Sequence, residues 1–197
     1  LLDLKGRSQM APILDPIAVA LSKARLTPTM VTAAGLVVTI AGSVFIAAQR
    51  YTLGAVIAGV GCILDALDGP LARHQGKASI RGAFVDTMSD RFGEIAIWSA
   101  LAFSLREEEM ALMLCVFALA FSLLTPYVRA KAESWGAEGR GGWMGRAERM
   151  IFILIGVFVA GIWGGHKVVY PVLWVFVVLA GLTVLQRIRR TWEQLER

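Results

Sequence analysis

Several stretches of this chain are nearly uncharged for about 20 residues each, the length at which an α-helix crosses a bilayer, and nothing else limits the fold so tightly. Of the 197 residues 56% are hydrophobic and only 18% are charged, a balance foreign to a water-soluble domain of this size. The runs predict spans over 27–48, 51–71, 82–105, 110–134, 146–163 and 169–190. The expected fold is therefore all-α: a polytopic membrane protein with a six-span bundle over 27–190, all in a single domain, 1–197. Pro28 falls at the start of the first span, where its missing N–H costs nothing. Pro126 should kink the fourth. Glu107, Glu108 and Glu109 mark a solvated turn, and 136–145 reads as a Gly-rich loop.

Ahead of the bundle, residues 8–24 place Met10, Ile13, Leu14, Ile17 and Leu21 at helical spacing. This predicts an amphipathic helix lying in the membrane interface, with Lys5, Arg7, Lys23 and Arg25 toward lipid headgroups. No charged region, short apolar region and cleavage site follow one another at the N-terminus, so a removable signal peptide is not expected. Cys62 and Cys115 both sit inside apolar runs and should be buried thiols, not a disulfide.

The basic residues orient the bundle. Arg50, Arg106 and Lys167 are the only Lys or Arg in the first-second, third-fourth and fifth-sixth connections. The others gather at the N-terminus, around residues 65–91, between spans four and five, and at the C-terminus. Because basic loops stay on the cytoplasmic side, both termini and the 74–81 loop should be cytoplasmic in the cell (plasma) membrane. The net charge of +5 thus points to anionic lipid and phosphate ligands, and no nucleic acid is expected as a partner.

At that level stand four carboxylates. Asp65 and Asp68 end the second span, and Asp86 and Asp90 open the third. Spacings of three and four put each pair on one helical face, and a short loop can turn the faces together. Such a set of hard oxygen donors suits Mg²⁺ or Mn²⁺, and two such ions could clamp a diphosphate. Arg73 adds a fixed cationic fork for phosphate oxygens. Gly69, Ala72 and Gly82 leave room for a ligand. Asp90, read by position as the most deeply embedded, is the candidate general base. Intramembrane carboxylates also line ion and proton pathways, so a cation channel or carrier is the alternative from another class. Intramembrane prenyltransferases also use Asp-rich helices, but with more spans and two separate Asp motifs.

The string from Asp65 to Asp90 resembles the signature of the CDP-alcohol phosphatidyltransferases, D-x2-D-G-x2-A-R-x8-G-x3-D-x3-D, at every fixed position. The resemblance implies two divalent ions held by Asp65, Asp68, Asp86 and Asp90, with Asp90 as general base. It implies a CDP-lipid site at Asp68, Gly69, Ala72 and Arg73, and a homodimer. Members often open the first span with Pro-Asn-x-x-Thr; here Pro28 is followed by Thr29, with Thr32 kept as a lesser contributor to the nucleotide pocket. The implied reaction is attack of an alcohol on the lipid-bearing phosphate of CDP-diacylglycerol, releasing CMP.

Arg129, Lys131, Arg146, Arg149 and Arg189 stand at the same membrane level as the Asp motif and form the candidate pocket for an acceptor phosphate. Basic helix ends also arise from orientation bias and snorkelling without any ligand. The pattern around Tyr127 to Glu133 and Arg146 to Arg149 is similar to the phosphatidylinositol-phosphate synthase branch. It implies a phosphorylated polyol as acceptor, inositol 1-phosphate first and glycerol 3-phosphate as the alternative. His74 reads as a solvated loop residue, His166 as too far from the site, and Trp98, Trp163, Trp174 and Trp192 as packing or interfacial anchors.

Overall fold

A computed structural model describes residues 14–139 and 141–196. Among them the regular structure is entirely helical: α1 (14–23), α2 (Pro28–Ala47), α3 (Tyr51–Asp65), α4 (Asp68–His74), α5 (Ile80–Ser104), α6 (Glu109–Ser134), α7 (Arg146–Trp163) and α8 (His166–Leu195). Of the expected 8–24 helix, residues 8–13 lie outside the described residues. The remainder is α1, whose Ala18 is buried in a cluster with Val31, Leu67 and Leu71. Arg25, at φ 60°, ends that helix, and Thr27 caps the next by accepting from the Met30 N–H at 3.3 Å.

The second apolar run is not one helix. It breaks after Asp65 and resumes at Asp68, and across the gap the Leu67 N–H donates to the Leu64 carbonyl at 3.0 Å, a tighter turn. Pro70 is the cause. It has no N–H to give, and its ring would collide with the carbonyl four residues back, that of Ala66. Pro126 acts differently: α6 runs through it unbroken, leaving the Ser122 carbonyl without its helical donor.

α2 packs on α3 and α5, α3 on α7, α5 on α6, and both α6 and α7 on α8. The core between them holds Ile97, Trp98, Leu101, Ile153, Leu173 and Phe176, with the Trp98 and Phe176 ring centroids 4.6 Å apart. The α2–α3 contact depends on Gly35: a Cβ there would lie 2.9 Å from both the Asp65 nitrogen and the Gly61 carbonyl oxygen. The 136–145 connection is tied down. Arg187 Nε donates to the Gly141 carbonyl at 2.8 Å, and the Met144 N–H donates to Thr183 Oγ1 at 3.1 Å. Gly142, at φ 96°, makes the turn that permits this.

The surface is oily. Val37, Val44, Ile63, Ile155 and Leu185 are all more exposed than buried, as suits helices that face lipid. Among the described residues, four helical stretches are long and apolar enough to cross a membrane: Pro28–Ala47, Tyr51–His74 (α3 and α4 taken together), Glu109–Ser134 and His166–Leu195. The other two expected spans carry charges in one half, Asp86, Asp90, Arg91 and Glu94 on α5 and Arg146, Glu148 and Arg149 on α7. α8 begins at His166, ahead of the expected 169, and continues past Arg190 to Leu195.

Candidate active site

Asp65 is the last residue of α3, Asp68 the first of α4, and Asp86 lies in the second turn of α5. Each offers one carboxylate oxygen, and the three oxygens lie within 4.8 Å of one another. Oxygens sharing one Mg²⁺-sized ion at about 2.1 Å can be at most about 4.2 Å apart, so small side-chain shifts would close this set. The break at Ala66-Leu67, more than a shared helical face, decides how Asp65 and Asp68 are aimed. Thr32, one turn into α2, donates its hydroxyl to Asp68 Oδ2 at 2.5 Å and so fixes that carboxylate from a third helix.

Asp90 stands apart from the three. Its Oδ1 makes an ion pair with Arg146 Nη2, and the same nitrogen lies 3.4 Å from Asp65 Oδ2. The side chains of Asp65 and Asp90 are both well covered, 10% and 13% exposed. Over Asp65 the cover comes from α2, whose Gly35 lets the two backbones touch there.

One turn beyond Asp90 is Glu94, 1% exposed. Its Oε2 accepts from Arg91 Nη1 at 2.7 Å and its Oε1 from Arg149 Nη2 at 3.2 Å. Arg149 is equally buried, and donates also to the Met144 carbonyl at 3.3 Å and the Ser122 carbonyl at 3.5 Å. That last acceptor is the one Pro126 frees. A buried charge is tolerated only when paired and hydrogen-bonded, and Glu94 and Arg149 satisfy each other in this way. Sequence reasoning passed over Glu94, although a carboxylate four residues past Asp90, inside an expected span, was signal enough.

The family model for CDP-alcohol phosphatidyltransferase matches residues 25–185, which is most of the chain. The chain belongs to that family. Phosphatidylinositol phosphate synthase of Mycolicibacterium smegmatis is 33% identical over 199 residues, covering 94% of this chain and 86% of that relative. The synthase of Cutibacterium acnes is 33% identical over 207 residues, covering 95% and 97%. Among solved structures, the Mycobacterium tuberculosis phosphatidylinositol phosphate synthase with CDP-DAG bound superposes with a TM-score of 0.85 at 28% identity, covering 92% of this chain and 94% of that one. The same enzyme in complex with manganese and citrate gives 0.84 at 28% identity, covering 91% and 88%.

This CDP-alcohol phosphatidyltransferase is thus a membrane enzyme of phospholipid synthesis, and its other expected site residues can be placed. Arg73 is exposed and lines a cavity of about 290 Å³ with Asp15, Ala18, Val19, Pro70 and His74. Gly69 is beside it: a Cβ there would be 3.5 Å from Arg73 Nη1. Ala72 is half-buried on the same short helix. A second, much smaller cavity of roughly 10 Å³ lies under Asp65, lined by Ser89, Gly93, Glu94 and Arg146 among others.

The five expected acceptor residues divide. Arg146 and Arg149 join the carboxylate network. Arg129 pairs with Glu133 at 2.9 Å, Lys131 lies over the Trp135 ring at 4.4 Å, and Arg189 pairs with Glu193 at 2.8 Å, each on its own helix. At the other end of the bundle His166 Nδ1 is 3.1 Å from Glu108. The two cysteines are unpaired thiols, Cys115 buried as expected and Cys62 only half-buried, beside Asp65.

Proposed function

We propose that this chain transfers the phosphatidyl group of CDP-diacylglycerol to a hydroxyl of a phosphorylated polyol, inositol 1-phosphate first, releasing CMP. The observation that carries this reading is the convergence of Asp65, Asp68 and Asp86 beside the Asp90–Arg146 pair. The donor set is all carboxylate oxygen, which fits Mg²⁺ or Mn²⁺, and two ions are proposed, with Asp90 completing the ligands. Divalent ions held there would supply positive charge to neutralise the diphosphate and the departing phosphate.

The protein's own groups do the rest. Thr32 holds Asp68 in one orientation. Gly69, Ala72 and Arg73 border the cavity that would take the cytidine diphosphate, with Arg73 forking onto phosphate oxygen. Asp90 takes the proton of the acceptor hydroxyl as its oxygen bonds to the lipid-bearing phosphorus and the bond to CMP breaks. Arg129, Lys131, Arg146, Arg149 and Arg189 are proposed to meet the acceptor phosphate, the surface members by leaving their own-helix partners. Fully buried Ile97, Trp98 and Phe176 lie in the bundle core, an apolar interior that favours an enzyme over an ion pathway.

The full proposal is one domain, 1–197, with six spans, α5 and α7 included, in the plasma membrane and with termini and site cytoplasmic. It is supported by the near-absence of Lys and Arg from the connections at Arg50, Arg106 and Lys167. A homodimer is proposed, since small residues such as Gly59, which faces open space on α3, permit close helix approach. The deciding experiment measures CMP release from CDP-diacylglycerol by the purified chain with inositol 1-phosphate or glycerol 3-phosphate, with and without chelator. Turnover faster with inositol 1-phosphate and abolished by chelation is expected. Preference for glycerol 3-phosphate would move the chain to the phosphatidylglycerophosphate reaction, and metal-independent release would sink the mechanism.

A further inference from the structure

Asp65 is claimed twice. It belongs to the trio of converging carboxylates, and its Oδ2 is also 3.4 Å from Arg146 Nη2, the nitrogen that pairs with Asp90. A guanidinium in that place opposes a divalent cation on the same carboxylate, because two positive charges would then share one small ligand group. A second observation shows where the guanidinium can go. Arg146 Nε is buried and makes no hydrogen bond, and it lies 4.0 Å from Glu94 Oε1. A shift of about 1 Å would bring it into hydrogen-bonding range. Glu94 Oε1 has one donor, Arg149, and a lone pair to spare. The small cavity beneath Asp65 is bordered by both residues and by Gly93, which has no side chain to obstruct the movement.

We infer that Arg146 is the resident counter-ion of the carboxylate site, and that Glu94 is the second berth to which its guanidinium withdraws when the carboxylates hold a divalent ion. The inference rests on the proposed metal site. It makes Glu94 a positioning residue, acting on the site through Arg146, and it explains how three or four carboxylates stay folded together before any ion is bound. Arg146 would stand between Asp90 and Asp65 in the ion-free form and lean away from them in the loaded form, clearing the carboxylate proposed as base.

The test is Mn²⁺ binding by electron paramagnetic resonance of free Mn²⁺, on the full chain in detergent without lipid or acceptor. Arg146→Gln should tighten Mn²⁺ binding by about tenfold, the scale of a close charge pair. Glu94→Gln should weaken it in the wild-type background and leave it unchanged in the Arg146→Gln background, because its effect passes through Arg146. An equal effect of Glu94→Gln in both backgrounds would reduce Glu94 to a distant charge and overturn the second berth. Unchanged or weaker binding by Arg146→Gln would overturn the counter-ion.

Should Glu94→Gln fail to fold, Arg146→Lys decides. Lysine keeps the charge but carries it on one nitrogen at the end of a shorter side chain, without the guanidinium's planar fork, so binding between wild type and Arg146→Gln is expected, and binding equal to wild type overturns the inference. Wild-type chain that binds no Mn²⁺ would overturn the metal site itself, and the inference with it.

Discussion

The two charged regions at this end of the bundle are held by different means. Around the carboxylates most contacts cross between helices: Thr32 on α2 to Asp68 on α4, Arg146 on α7 to Asp65 on α3 and Asp90 on α5, Arg149 on α7 to Glu94 on α5, with Arg91 to Glu94 the pair made within α5. At the ends of α6 and α8 the expected acceptor cations instead close on their own helices, Arg129 on Glu133 and Arg189 on Glu193, four residues apart. Cross-helix partners fix a side chain from two directions and exclude water. Same-helix pairs at the surface are worth a few tenths of a kcal/mol and release readily. The first region is built to hold geometry, and the second to be rearranged by what binds.

The sharpest break of that contrast is Asp90→Asn, expected to lower turnover roughly a hundredfold to ten-thousandfold while leaving CDP-diacylglycerol binding near wild type. Steady-state rates and lipid binding on the same preparation check it, and surviving turnover would remove Asp90 as base. Next comes Arg149→Ala, which takes the donor from Glu94 Oε1 and leaves Arg91 as its close partner, and should cost about 3 kcal/mol in thermal unfolding. In the surviving folded fraction the acceptor KM should rise more than the CDP-diacylglycerol KM. Equal rises would mean that Arg149 supports the scaffold only. Thr32→Val removes the hydrogen bond that fixes Asp68, a loss of about 1.5–3 kcal/mol if the carboxylate is charged, and should weaken Mn²⁺ binding without changing acceptor KM. The smallest effect is expected from Arg189→Ala: stability within about 1 kcal/mol of wild type, with a rise in acceptor KM alone.

Much of the outline was legible in the sequence because it depends on local regularity. Apolar runs of span length became helices, and the Asp spacing marked the residues that converge. What escaped depends on single events with long-range results. Pro70 breaks the second run at Ala66 and Leu67, so Asp65 and Asp68 are aimed by a turn and not by one helical face. Glu94 stands one turn past Asp90 and was legible by that spacing, but its partner Arg149 comes from a distant part of the chain. The inward direction of Arg146 and Arg149, against the outward one of Arg129 and Arg189, depends on which faces of α6, α7 and α8 meet. Periodicity does not encode that when the helices are oily on all sides, as lipid-facing helices are.

Pro126 turns a local defect into wiring between helices. Having no hydrogen to give, it leaves the oxygen of Ser122 vacant, and the guanidinium of Arg149 from the neighbouring helix fills that vacancy. Alanine at 126 would restore a self-contained ladder in α6 and dislodge Arg149 from one of its moorings. A position with no charge and no ligand of its own thereby influences the basic lining of the site.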